Sequence, residues 1–165
     1  MEIRIREMIS GDWPAVKAIY QKGLDLGYAS FETTAPGWEQ WDASHLADFR
    51  YVAVSSEDIL GWVALSRVSA REVYRGVAEV SIYIDPAQSG RGLGKLLMAK
   101  VIEESETQGF WTLQSGIFPQ NTASIHLHEK MGFRKIGYRE KVAKRDGIWQ
   151  DNVLMERRSK KVGLN

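Results

Sequence analysis

Cysteine is absent from all 165 residues of this chain. That excludes disulfide staples, zinc–thiolate centres and thiol nucleophiles. Imidazole is scarce too. His45, His126 and His128 are the three histidines, little material for a histidine-rich metal site, so no metal is expected. Neither sign of charge prevails: 22 basic side chains stand against 21 acidic ones, a formal charge of +1. Global electrostatics therefore give no reason to expect nucleic acid or an anionic membrane as partner. No run of about 18 apolar residues is available to span a bilayer. Met1–Arg6 alternates charge with isoleucine, and no apolar stretch of the signal-peptide kind follows. The expectation is a soluble, cytoplasmic protein.

What is present suits one domain with a sizeable core, given a hydrophobic share of 44%. Its expected extent is residues 1–158, with 159–165 as a disposable tail. Ile3 and Ile5 alternate with Arg4 and Arg6, the period of a half-buried strand. Asp12 and Pro14 mark a helix start, with Val16, Ile19 and Tyr20 as its buried stripe. Between Leu26 and Trp41 the periodicity fails, and Gly27, Pro36 and Gly37 divide the segment into loop or short helix. Tyr28, Trp38 and Trp41 read as core residues. Strands are expected at Tyr51–Ser55, Leu60–Ser66 and Val77–Ile84, the last ended by Asp85-Pro86. Gly90–Lys95 opens a helix whose Leu93, Leu96, Leu97, Val101 and Ile102 share a face, with Gly109 as its stop. Thr112–Ile117 reads as a strand, and Thr122–Met131 as a helix capped by Gly132. Phe133–Lys144 and Trp149–Glu156 form a hairpin turning near Asp146-Gly147. The class is mixed α/β (α+β), a sheet flanked by helices.

Ser89-Gly90-Arg91-Gly92-Leu93-Gly94-Lys95 is the richest local signal. Closely spaced glycines let backbone N–H groups turn toward an anion, and the following helix adds its dipole. A Walker A loop requires Gly where Ser89 stands and Ser or Thr where Leu96 stands, so that match fails twice. A dinucleotide fingerprint requires Gly at Lys95 and a leading βαβ unit. The remaining readings are the pyrophosphate loop of an acyl-CoA transferase, with Ser89 in place of Arg or Gln, and a glycine-rich turn without a ligand.

Asn121-Thr122-Ala123-Ser124-Ile125-His126-Leu127-His128-Glu129-Lys130-Met131-Gly132-Phe133 resembles the helix motif of the GNAT N-acetyltransferase superfamily. Val80-Ser81-Ile82-Tyr83-Ile84-Asp85-Pro86 is similar to its central strand. The resemblance spans nearly the whole chain and implies the GNAT fold, with a mixed, mostly antiparallel central sheet. Within the superfamily the phosphinothricin and methionine-sulfoximine acetyltransferases look most similar. Ala29–Thr33, Arg71 with Tyr74-Arg75-Gly76, Ala78–Ser81, Leu127-His128-Glu129 and Gly147–Asp151 carry that likeness.

The resemblance implies acetyl-CoA as co-substrate and a small amino-acid-like amine as acceptor. An alternative acceptor is another small molecule or a protein N-terminus; a different class is a non-catalytic acetyl-CoA sensor. An ammonium must lose a proton before it can attack, and Glu79 matches the family's general base. Taken alone, a strand Glu is usually a solvated side chain. His128 falls where relatives place a Tyr near the CoA sulfur, as hydrogen-bond donor or acid; His126 reads as a surface residue and His45 lacks supporting context. Backbone N–H groups of Ser81–Ile84 would stabilise the developing oxyanion. Ile82, Tyr83 and Ile84 would line the acetyl and pantetheine channel. Ser89, Gly90, Arg91, Gly92, Leu93, Gly94 and Lys95 would hold the pyrophosphate, with Asn121 and Lys130 toward the pantetheine and nucleotide. Arg71 would bind the acceptor carboxylate, beside Tyr74, Phe31, Glu32, Val80 and Ser81. Relatives commonly dimerise, so a homodimer is expected.

Overall fold

The computed structural model describes residues 2–165. Its elements follow in the order β1 (Ile3–Glu7), α1 (Trp13–Asp25), α2 (Trp38–Ser44), β2 (Tyr51–Ser55), β3 (Asp58–Arg67) and β4 (Val77–Ile84). After β4 come α3 (Leu93–Thr107), β5 (Thr112–Ile117), α4 (Thr122–Lys130), β6 (Arg134–Arg145) and β7 (Ile148–Arg158). One seven-stranded sheet runs β1-β2-β3-β4-β5-β7-β6. Every pairing is antiparallel except β4 with β5. This is the mixed, helix-flanked sheet that the sequence predicts.

Period-2 side-chain alternation sorts residues onto two faces. Ala78, Val80, Ile82 and Ile84 of β4 join Leu97, Met98 and Val101 of α3 in the larger core. Trp62 of β3 packs with Val16, Ile19 and Trp41 on the α1–α2 side, and Tyr83 joins it there. Gly23 of α1 is required at that seam, because a Cβ on it would lie 2.5 Å from the Tyr83 ring.

Several sequence expectations change in detail. Asp12 does not cap α1. It closes a preceding 3-10 turn, where its carboxylate accepts from the Ile9 N–H at 2.8 Å and pairs with Arg6 at 2.8 Å. Leu96 is 44% exposed, and Met98 is buried in its place, since residue 98 lies closer to the centre of the stripe facing the sheet. Tyr28 is exposed on its loop, whereas Trp41 is fully buried. Ser159, expected to begin a free tail, is 3% exposed; its hydroxyl donates to Glu106 at 2.6 Å and its N–H to the Trp111 carbonyl at 2.8 Å. The hairpin turn falls at Asp146-Gly147, with φ of 50° and 77°, the positive pair a type I′ turn demands.

Candidate active site

The parallel pairing of β4 and β5 lasts only from Val77↔Thr112 to Glu79↔Gln114. β4 then continues to Ile84 and β5 to Ile117 without further pairing. The strands part at Glu79, and the edge of β4 facing β5 is left open. Asp85 gives its N–H to Leu60 of β3 at 2.9 Å. The period of a ladder therefore puts the amides of Ser81 and Tyr83 on the β3 side and those of Ile82 and Ile84 on the open edge. Backbone donors thus line a cleft through the sheet, the arrangement an oxyanion needs.

At the C-terminal end of β4 the chain enters the glycine loop. Gly90 and Gly92 have φ of 82° and 76°, left-handed conformations that disfavour a side chain. Among the described residues no bond uses the N–H groups from Gly90 to Lys95; the first helical amide to find a carbonyl is Leu96, bonded to Gly92 at 3.2 Å. A row of free amides at the start of a 15-residue helix fits a phosphate group. Arg91 and Lys95 are exposed beside it, while the Leu93 side chain is buried and can contribute only its backbone. Gly94 lets α3 approach α4 closely, since its Cβ would lie 2.9 Å from Leu127.

Glu79 faces the opposite side of the sheet from α3, toward the α1 side. Solvent reaches it, yet the surrounding protein raises its carboxyl above the ordinary carboxylate range by burial. A raised carboxyl suits a base that must take and release protons near neutrality. Ser81 is half-buried on the same face. Val80 is not: it is 8% exposed within the α3 core, so its side chain is withdrawn from any acceptor on the α1 side. Tyr83 likewise departs from the expected channel lining. Its ring stacks on Trp62 at 5.2 Å and meets Tyr20 at 4.7 Å, on the α1 face. Burial pushes its hydroxyl well up, and the Glu32 carboxylate adds to the shift. Ile82 and Ile84 do point to the α3 side.

His128 also differs from expectation. The side chain is 2% exposed. Its Nδ1 lies 2.7 Å from the Ser124 carbonyl oxygen, which can only accept, so Nδ1 carries the proton. Nε2 then accepts from the Ser115 hydroxyl at 2.9 Å. Burial lowers the imidazole's pKa. With both nitrogens engaged, His128 is a neutral tie between α4 and β5 rather than a donor facing a cleft. Asn121 caps α4 through its side-chain oxygen, which accepts from Ser124 at 3.3 Å. Lys130 lies exposed at the other end of that helix.

The remaining expected residues approach from two loops. Arg71 and Tyr74 precede β4, with the guanidinium 5.6 Å from the Tyr74 ring and in no ion pair among the described residues. Phe31 and Glu32 follow α1, whose C-terminal end lies against Tyr83 and Asp85 at the far end of β4. Phe31 packs on Phe118 beyond β5 at 4.7 Å, so this loop crosses from β4 to β5 over the mouth of the cleft. Two residues that motif reading missed hold it there. Gln21 of α1 donates to the Thr33 carbonyl at 3.1 Å and accepts from the Ala35 N–H at 2.8 Å, and Arg145 reaches the loop from the hairpin tip. Nothing local signalled either. Among the described residues no three His, Asp or Glu side chains gather as a metal site, and no helix is long and apolar enough to cross a membrane.

A parted parallel strand pair with amides on its open edge and a free-amide loop at a helix start suit a thioester carbonyl and a phosphate group, the two parts that an acyl-CoA-dependent transferase must hold. Comparison with known proteins agrees. The sequence model of the acetyltransferase (GNAT) family matches residues 5–133, and the chain belongs to that family. Phosphinothricin N-acetyltransferase of Alcaligenes faecalis is 33% identical over 159 residues, covering 93% of this chain and 81% of that protein. The L-methionine sulfoximine/L-methionine sulfone acetyltransferase of Pseudomonas aeruginosa is 28% identical over 162 residues and covers 94% of each. The phosphinothricin acetyltransferase of Sinorhizobium meliloti, solved in complex with AcCoA, shares the fold with a TM-score of 0.88. It is 24% identical, and the alignment covers 100% of this chain and 92% of that one. The protein is an acetyl-CoA-dependent N-acetyltransferase of the phosphinothricin acetyltransferase type.

Proposed function

We propose that the acceptor is the α-amine of a phosphinothricin- or methionine-sulfoximine-like amino acid, and that Glu79 is the base. The observation carrying this reading is the position of Glu79 at the fork of β4 and β5, with its carboxyl raised by burial. The thioester supplies an activated acetyl group for direct attack by the amine. Direct attack suits a chain without cysteine, which has no thiol to carry the acyl group. Glu79, alone or through a water, takes a proton from the ammonium and leaves the nitrogen lone pair free. Amides of Ile82 and Ile84 receive the charge that develops on the carbonyl oxygen; as the tetrahedral intermediate collapses the C–S bond breaks, the amide forms, and CoA leaves as a thiolate that takes up the second amine proton. Gly90–Lys95 hold the pyrophosphate through backbone N–H groups, and Asn121 and Lys130 lie toward the rest of the cofactor. Arg71 takes the acceptor carboxylate, while Tyr74, Phe31, Glu32 and Ser81 surround its side chain.

N-acetylation removes the positive charge of a glutamate mimic, so the consequence would be detoxification and herbicide resistance, in the cytoplasm. A homodimer is part of the same reading. Its support is the outer hairpin, where Ile148 is 65%, Tyr138 55% and Trp149 53% exposed, Tyr138 also lining a groove of about 540 Å³ between α4 and β6. Large apolar side chains clustered on an edge hairpin favour a covering partner.

Thiol release from acetyl-CoA, measured over phosphinothricin, methionine sulfoximine, methionine sulfone, other amines and N-terminal peptides, tests the acceptor. Transfer to a peptide in preference to the amino acids would overturn it, and silence across the panel would indicate an acetyl-CoA sensor. Sedimentation of wild type and Trp149→Glu tests the dimer.

A further inference from the structure

The segment that carries Phe31 and Glu32 has no regular structure between α1 and α2, yet it must be held over the cleft. Few of its own atoms do this. Gly27 bonds back to Leu24 at 3.0 Å and Glu32 to the Ser30 hydroxyl at 3.1 Å, both local. Gln21 of α1 braces the stretch after Glu32, its Nε2 donating to the Thr33 carbonyl at 3.1 Å and its Oε1 accepting from the Ala35 N–H at 2.8 Å. The stretch before Phe31 is restrained by Arg145, the last residue of β6. Its Nη2 donates to the Leu24 carbonyl at 2.7 Å and its Nε to the Ser30 carbonyl at 3.1 Å. These partners lie 121 and 115 residues away in sequence. The side chain is only 12% exposed, and its remaining nitrogen, Nη1, faces the Asp146 carboxylate at 3.2 Å.

The geometry is specific in two ways. Leu24 belongs to the last turn of α1, where orphan carbonyls and the negative end of the helix dipole both favour a cation. A guanidinium's fixed fork can also engage two carbonyls in different directions, which an ammonium does less well. The type I′ turn at Asp146-Gly147 fixes where that fork points.

We propose that Arg145 is a positioning residue for acceptor recognition. It clamps the Leu24–Ser30 backbone to the hairpin tip and thereby sets where Phe31 and Glu32 stand, without touching cofactor or acceptor. This rests on the acceptor-site reading above. The hairpin, remote from Glu79 in sequence, then becomes part of the apparatus that determines which amine is accepted.

The test combines steady-state kinetics with amide exchange on the full chain. Arg145→Ala should raise the acceptor KM on the order of tenfold, the scale of one hydrogen bond to a charged group. It should leave kcat at saturating acceptor within about twofold and acetyl-CoA binding unchanged. The amides of Gly27 and Glu32 should exchange faster, with those of α3 as internal reference. Arg145→Lys, which keeps the charge and one reachable carbonyl, should recover part of the KM. An unchanged acceptor KM, a loss of kcat alone, or wild-type exchange at Gly27 and Glu32 would overturn the proposal. If the wild type acetylates none of the amines, the acceptor reading falls, and the exchange comparison alone then decides the clamp.

Discussion

Replacing His128 separates chemistry from architecture more sharply than any other substitution. The imidazole is 2% exposed, bonded to the Ser124 carbonyl and to the Ser115 hydroxyl, and in edge contact with Phe133 at 4.8 Å. His128→Ala leaves the buried Ser115 hydroxyl without its acceptor, at about 1–3 kcal/mol. It also leaves a cavity whose cost is on the order of 2 kcal/mol. The sum, roughly 3–5 kcal/mol, corresponds to a fall in Tm of about 10 °C for a domain this size. His128→Asn should cost less, about 1–2 kcal/mol, because its amide N–H can replace Nδ1 toward Ser124. For both variants, kcat per folded molecule should stay within about fivefold of wild type, with an unshifted pH–rate profile. Calorimetry gives the stability, and thiol release below the melting transition gives kcat. General acids contribute about 10²–10⁴ in rate. A folded His128→Asn that loses about a hundredfold in kcat, with its Tm intact, would refute the structural assignment.

Four further outcomes follow from the same geometry. Glu79→Gln should lower kcat by at least about a hundredfold without weakening acetyl-CoA binding, and unchanged turnover would mean that the base lies elsewhere. The same variant should be slightly more stable at neutral pH. A folded carboxyl raised above its unfolded value is favourable at low pH and loses that contribution as pH rises and it ionises. His45 and His128 carry the opposite sign: burial lowers both, so below about pH 6.5 the unfolded chain binds more protons and thermal stability should fall; in His128→Asn that decline should be shallower. Gly92→Ala, at φ 76°, should cost about 1–2 kcal/mol and raise the acetyl-CoA Kd, whereas Gly23→Ala, whose Cβ would strike Tyr83, should raise the acceptor KM.

Residues whose meaning is local could be read from the chain itself. Val77–Ile84 and Thr112–Ile117 appear with the predicted bounds, because turn-forming residues close each, Asp85-Pro86 after the first and Gly109 and Pro119 around the second. The glycine loop and the Asp-Gly turn were also readable, since positive φ leaves its mark on residue type. The placements that could not be read locally share a cause. His128 sits within a motif, but its surroundings include Ser115 of β5, which no local pattern announces. Val80 and Tyr83 are neighbours on the motif strand and point to opposite faces, and the motif does not say which face carries the acceptor. The anchored Ser159 depends on Glu106 and Trp111, neither of them near in sequence.

The same division bears on what fixes the substrate. In the proposed reading the acetyl and pyrophosphate contacts come from one contiguous stretch, β4 through the start of α3, where backbone amides do the holding and side-chain identity matters little. The acceptor contacts in that reading come from Arg71 before β4, Phe31 and Glu32 after α1, and Ser81 on β4, the loop of Phe31 and Glu32 being held by Phe118 and Arg145. A change at any one of these supports shifts the acceptor loop while leaving the glycine loop intact. Relatives with this cofactor apparatus can therefore diverge in the amine they take without altering the motif by which they are recognised. Acceptor preference should accordingly track the α1–α2 loop and the hairpin tip that fastens it, more closely than the residues around Gly90–Lys95. Exchanging residues 26–33 together with 144–148 between two relatives should transfer that preference, whereas exchanging 26–33 alone should lower affinity for both amines.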